Sequence, residues 1–166
     1  VHKELKSKYE NFLTIIIPGH VNRSNSIINS LENIGLNIVS RSSNKKVNNR
    51  TDIYLVDTYG EATRFYGLSN ITFVGGSLID HGGQNPLEPA RLGNYIIHGR
   101  NIQNFKEVYN MLSSLKISSK INNVLDLKKI IIKKIKYKQS PKVKKKLNTL
   151  GSNILKNNLI EINKFL

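Results

Sequence analysis

The chain has no cysteine, which excludes disulfides, thiolate metal sites and a cysteine nucleophile, and fits a reducing compartment. It has no apolar run of about 18 residues and no secretory leader, so nothing in it reads as a membrane span or an export signal. Acids are scarce: 11 Asp and Glu stand against 26 Lys and Arg, a formal charge of +15. None falls between Asp126 and Glu161, whereas ten of the basic residues lie from Lys128 to Lys146. This excess has two readings. It is the composition of an A·T-rich genome, which the abundant Asn and Ile also fit, or it is a surface that attracts nucleic acid, acidic lipid or phosphorylated substrate.

At 166 residues the chain has the size of one domain and would bury roughly 68–70% of its unfolded surface, so a single self-sufficient core is expected. It begins with Val rather than Met and reads as a piece of a longer protein. Apolar, β-rich runs at 13–17, 36–40, 52–56, 71–74 and 95–98 predict strands. Helices are predicted from Ser24 or Asn25, as the cap, to Gly35, with Ile27, Ile28, Leu31 and Ile34 on one face, and then at 60–66, 86–92 and 105–115. Strand and helix alternate, with connections too long for hairpins, so the fold class is α/β: a Rossmann-like parallel sheet with helices on both faces.

From residue 124 the pattern turns to two basic helices, broken at Ser140-Pro141. Leu127, Ile131 and Ile135 mark the apolar stripe of the first. Val143, Leu147, Leu150, Ile154, Leu159, Ile162 and Leu166 mark that of the second. The expected organisation is a Rossmann-like core over 1–123 with helices 124–166 docked on it as one domain. The Lys128–Lys146 stretch could in addition rest on an anionic membrane surface.

In a parallel sheet the C-terminal strand ends face one way, which gathers Pro18-Gly19-His20, Asp57–Glu61, Gly75–Gly83 and Asn85–Glu88 on one rim. Glycine between a strand end and a helix start lets a phosphate or sugar approach the main chain. Each segment also has a structural use. Asn85-Pro86-Leu87-Glu88 is a competent capping box, with Asn85 as the cap and Glu88 reaching back to it. Asp57 and Glu61 suit a helix start. His20 and His81 have no ligand-spaced partner, so no metal site is expected. There is no GxGxxG, no GxxxxGK[ST] and no GxSxG, which weakens a dinucleotide fold and excludes a P-loop and a nucleophile elbow.

The run FVGGSLIDHGGQNPLEPARLG, preceded by DTYGEATRFYGLSNI and followed by NIQNFKEVYNML, resembles the C-terminal half of the Kdo (3-deoxy-D-manno-octulosonic acid) transferases of lipopolysaccharide assembly. TIIIPGHVNRSNSIINSLENIGLNIVSRSS resembles the segment that opens the same half, so the resemblance covers about Leu13 to Leu115. It implies a GT-B architecture of two Rossmann-like halves, with this chain as the half that binds CMP-Kdo. Pro18, Gly19, Tyr59, Gly60, Glu61, Asn85, Pro86, Leu87 and Glu88 match the family's CMP-contacting segments. His20, Arg23, Gly75, Gly76, Ser77, Gly82 and Gly83 are further donor contacts on the same ground.

The implied reaction is an inverting, metal-independent transfer of Kdo to a lipid A precursor at the cytoplasmic face of the inner membrane. The general base, the lipid A precursor site and the membrane anchor belong to the other half, so this chain alone should bind CMP without turnover. Nucleic acid is not an expected partner. One departure stands out: the family usually has Pro-Arg-His where this chain has Pro18-Gly19-His20, and Arg23 is the nearest cation to replace the missing one. Two other readings stay open, a basic module that binds nucleic acid or membrane, and a GT-B donor half for a uridine sugar.

Overall fold

The computed structural model describes residues 1–149. The chain divides into two compact units, one ending at Phe65 and the other starting at Tyr66.

The first unit is built on three parallel strands, β1 (Thr14–Ile16), β2 (Ile38–Ser40) and β3 (Ile53–Leu55), in the order β1-β3-β2. Ile53 pairs with both Thr14 and Ile38. The central strand carries the buried Ile53 and Leu55 and runs into buried Val56, the continuous apolar run that a strand covered on both faces requires. Helix α1 (His2–Lys8) precedes the strands, helix α2 (Ser24–Glu32) connects β1 to β2, and helix α3 (Ala62–Tyr66) runs to the unit boundary. Gly35, at φ 71°, stops the chain after α2, and its N–H donates to the Glu32 carbonyl at 2.8 Å, so buried Leu36 can turn into β2.

Helix α1 is fastened at two points. Leu5 is fully buried, and the Asp52 carboxylate, at the start of β3, accepts from Lys6 Nζ at 2.5 Å and from the Asn37 N–H at 2.8 Å. His2 lies 3.4 Å from Asp52 and 2.8 Å from the Thr14 hydroxyl. Burial pushes the Asp52 carboxyl up, but the Asn37 N–H, Lys6 and His2 outweigh it and hold the group at about 2.

The second unit repeats the plan with β4 (Ile71–Phe73), β5 (Tyr95–His98) and β6 (Ser118–Lys120), parallel and in the order β4-β5-β6. All four residues of β5 are buried. Successive side chains on a strand point to opposite faces. Ile96 therefore packs with Val74, Ala90, Tyr109, Leu112, Ile117 and Leu147 on one side, which brings in helices α4 (Leu87–Arg91) and α5 (Lys106–Ser114) and the helical residues 141–149. Tyr95 and Ile97 pack on the other side with Ile121, Leu127, Ile130 and Ile131, which brings in helix α6 (Val124–Lys134). At the head of α6, Asn123 Oδ1 accepts from the Asp126 N–H at 2.9 Å and the Asp126 carboxylate accepts from the Asn122 N–H at 3.1 Å.

The α/β class and the parallel strands are as the alternation implies, but the strands form two three-stranded sheets, one per unit. The strands at 36–40 and 52–56 shorten to the cores given above. Helix α1 and strand β6 are additions. Ser24 is not the cap of α2 but its first residue, and its hydroxyl donates back to the Val21 carbonyl at 2.7 Å. Ile34 lies beyond the helix and is exposed. The ten lysines do not share one surface: α6 covers one face of the second sheet and residues 141–149 the other. Leu150, Ile154, Leu159, Ile162 and Leu166 lie outside the described residues.

Asp52 gives the first testable consequence. Its folded value of about 2 is below its free value of 3.8, so its contribution is complete above the free value and is lost as pH falls toward 2. Asp52→Asn should lower unfolding free energy at neutral pH by about 2 kcal/mol. It should also flatten the fall in stability between those two values, as read by denaturant titration at each pH. An unchanged acid limb would remove Asp52 from this role.

Candidate functional site

In the first unit the chain leaves β1, β2 and β3 at one edge of a parallel sheet, so three exit segments share it. Pro18 is half-buried, and Gly19 and His20 are exposed. A 3-10 turn, Val21–Arg23, follows and leaves Arg23 exposed at the head of α2. Gly19 has no left-handed backbone, and a Cβ placed on it meets nothing within 4 Å. A side chain would be accepted there.

The exit from β3 is braced by the exit from β2. The Glu61 carboxylate accepts from Arg41 Nε at 3.1 Å and Nη2 at 3.2 Å, from Arg64 at 3.4 Å and from the Thr58 hydroxyl. Asp57 accepts from the Ser42 N–H at 2.8 Å and from its hydroxyl. Thr58 first, and then Arg41, hold the Glu61 carboxyl below the usual carboxylate range. Glu61 thus shapes the loop, as a forked arginine pair does. Between these braces Tyr59 is 80% exposed and Gly60 turns at φ 77°, so an aromatic face stands in solvent at the strand ends. Arg41 is absent from the sequence-derived site, and Thr58 enters it only as part of the Asp57–Glu61 segment, with no role of its own. The Thr58-x-x-Glu61 spacing hints at one of them, whereas Arg41, twenty residues away, leaves no local mark.

A hollow of about 240 Å³ in the same unit is lined by Lys6, Phe12, Leu13, Val47, Asn48 and Thr51, among others. It contains none of the candidate residues. It sits by the entering ends of β1 and β3, the wrong edge of a parallel sheet for ligand chemistry.

In the second unit the glycine-rich loop after β4 folds over the exit of β5. Ser77 is fully buried. Its hydroxyl donates to the Val74 carbonyl at 2.6 Å and accepts from the Gly99 N–H at 2.8 Å, and its carbonyl accepts from the Asn101 N–H at 2.9 Å. A Cβ on Gly99 would stand 2.1 Å from the Ser77 carbonyl oxygen, so only glycine permits this approach. Gly82, at φ 79°, is buried with the Asn104 side chain where its Cβ would be. Gly83 is buried too, and its N–H donates to the Gly76 carbonyl at 3.3 Å. Of the loop residues proposed to touch the donor, Gly75 is exposed, whereas Ser77, Gly82 and Gly83 are used in holding the loop. His98 ends β5 buried against the Tyr109 ring, 4.4 Å between centroids. Burial pushes its imidazole down, the Gly99 carbonyl acting the other way.

Tyr109 donates to the Gln84 carbonyl at 3.0 Å, which fixes the approach to Asn85–Glu88. There the motif splits by burial. Pro86, Pro89 and Ala90 are buried and Leu87 packs on the same cluster, while Asn85 and Glu88 are exposed. Asn85 caps, but one residue away from the expected pattern: α4 begins at Leu87, and Asn85 Oδ1 accepts from the Leu87 N–H at 2.9 Å. The four segments expected on one rim thus fall as two pairs, one pair in each unit. Among the described residues no group of three His, Asp or Glu is placed to hold a metal ion.

No family model matches the chain. Its sequence is 34% identical over 158 residues to the 3-deoxy-D-manno-octulosonic acid transferase of Haemophilus influenzae, covering 95% of this chain and 36% of that protein. It is 32% identical over 154 residues to the protein of that name from Rickettsia felis, covering 93% and 32%. The chain therefore spans about a third of the length of these curated relatives. Among solved structures it is similar to the C-terminal CMP-Kdo binding domain of WaaA from Acinetobacter baumannii, with a TM-score of 0.72, 24% identity, and coverage of 92% of this chain and 78% of that one. At that identity the likeness supports the fold.

The two exposed or crowded glycines give a paired test. Gly99→Ala should cost about 3 kcal/mol, because neither backbone can yield. Gly75→Ala, with open space and no left-handed backbone, should leave the melting temperature within a degree or two, roughly the surface-substitution range. Equal melting temperatures for the two variants would contradict the packing described.

Proposed function

The chain is a homologue of the Kdo transferases, and from that premise we propose that it is the C-terminal, donor-binding part of such an enzyme, with CMP-Kdo as its ligand. The kinship along nearly the whole chain carries the reading. The geometry supports it in the second unit, where burial leaves Asn85 and Glu88 as the outward polar groups of their motif. A carboxylate in the place of Glu88 accepts from ribose hydroxyls, and charge-assisted bonds of that kind are the strong ones. In the first unit the exposed Tyr59 offers a flat face to a nucleobase, Pro18 and Gly19 offer main chain, and Glu61 holds the Tyr59-Gly60 turn in shape through Arg41 and Thr58.

In this reading the chain binds the donor and stabilises the charge that develops on departing CMP, through N–H groups and cations and without a metal ion. Transfer to a lipid A precursor, the acidic general base that activates the acceptor hydroxyl and the seat at the cytoplasmic face of the inner membrane are assigned to the whole enzyme. The 166-residue chain is expected to bind and not to turn over.

Calorimetric titration with CMP and with UMP tests this. CMP should bind in preference, and Glu88→Ala should weaken it roughly 10- to 100-fold. Failure to bind either nucleotide, or equal binding of both, would sink the CMP assignment. Kdo transfer to lipid A precursor by the isolated chain would overturn the restriction to donor binding.

Gly19 provides a second test. Its backbone and surroundings accept a side chain, so Gly19→Arg should fold as the parent does and tighten CMP by several-fold, about 1 kcal/mol for one added cation facing a phosphate. An unchanged affinity would show that position 19 does not face the phosphate.

A further inference from the structure

Helix α6 has two apolar faces, and the sheet uses only one of them. Leu127, Ile130 and Ile131 are packed against Tyr95, Ile97 and Ile121. Lys134 lies on the same side, with its ammonium 4.4 Å from the centre of the Tyr95 ring. At 100° per residue the opposite side carries Leu125 and the half-buried Ile132, seven apart, with Lys128 and Lys129 on either flank and Lys133 beyond Lys129, while Val124, at the head of the helix, falls at the edge of the packed side. Leu125 is 67% exposed and Val124 57%, and Lys129 and Lys133 are exposed. The one acid in the helix, Asp126, is occupied at the cap.

We propose that this outer face of α6 is a docking surface for an anionic lipid bilayer, with Leu125 entering the headgroup boundary and Lys129 and Lys133 meeting the lipid phosphates. Two independent observations converge on it. Large apolar side chains are left in solvent on a helix whose core-facing stripe is already satisfied, and the charge around them is of one sign. An apolar ridge between lysines is the pattern of helices that lie in the membrane plane. A nucleic-acid surface would gain from the lysines but would leave Leu125 without a use. The surface is confined to α6, because the lysines of residues 141–149 lie across the sheet. The proposal does not depend on donor binding.

The test is sedimentation of the 166-residue chain with large phosphatidylcholine vesicles made with and without phosphatidylglycerol. Binding should need phosphatidylglycerol and fall with added salt. Lys129→Gln with Lys133→Gln should weaken it about 20-fold, and Leu125→Ser about 10-fold. All three positions are solvent-facing, so the variants should keep the parent's circular dichroism and melting temperature. Binding that ignores Leu125→Ser, or that is matched by single-stranded RNA over the same salt range, would overturn the proposal in favour of a simple polyanion site. No binding to anionic vesicles at low salt would overturn it outright.

Discussion

The contact between the Ser77 carbonyl and Gly99 sets the second unit. Two main chains meet where β4 and β5 end, at a spacing that excludes even a methyl group, and the Ser77 hydroxyl bonds to both strand exits. Once the loop is clamped there, Asn101 and Asn104 fold under it, Tyr109 fixes Gln84, and the chain enters α4 with its apolar residues inward. The outward position of Glu88 is therefore a result of packing some distance away. The glycines at this turn are spent on backbone proximity within the protein.

The legible parts of the fold are those whose cause is local. Tyr95–His98 is a strand buried on both faces and reads as an apolar run, and the stripes of α5 and α6 show their period. Strand β6 is Ser118-Ser119-Lys120, a polar edge strand defined by its pairing with β5, and α1 buries one side chain, Leu5. Neither has a period to see. Alternation implies parallel pairing, yet it cannot say that six strands divide three and three, because that depends on which strands meet.

The candidate site divides in the same way. The turn residues and the outward Glu88 were visible in motifs, whereas the bracing of Glu61 by Arg41 depends on two strand exits meeting in space. Ser77, Gly82 and Gly83 were singled out as donor contacts, and the structure adds that they are buried and hold the loop, since glycine-rich turns at strand ends serve ligands and backbone crossings alike. The packing use depends on contacts that composition does not reveal. Gly19 shows the converse: its freedom is not needed by the fold, and the position has room for a side chain.

Helix α1 bears on how the first unit could be excised. Its Lys6 and His2 reach Asp52 at the foot of the central strand, and Leu5 is buried. A protease cut or an engineered start placed in the loop after Lys8 would look harmless on a map of strands and helices. It would strip a buried carboxylate of its counter-ion and open an apolar gap, so an autonomous version of this unit has to keep the chain from His2 onward.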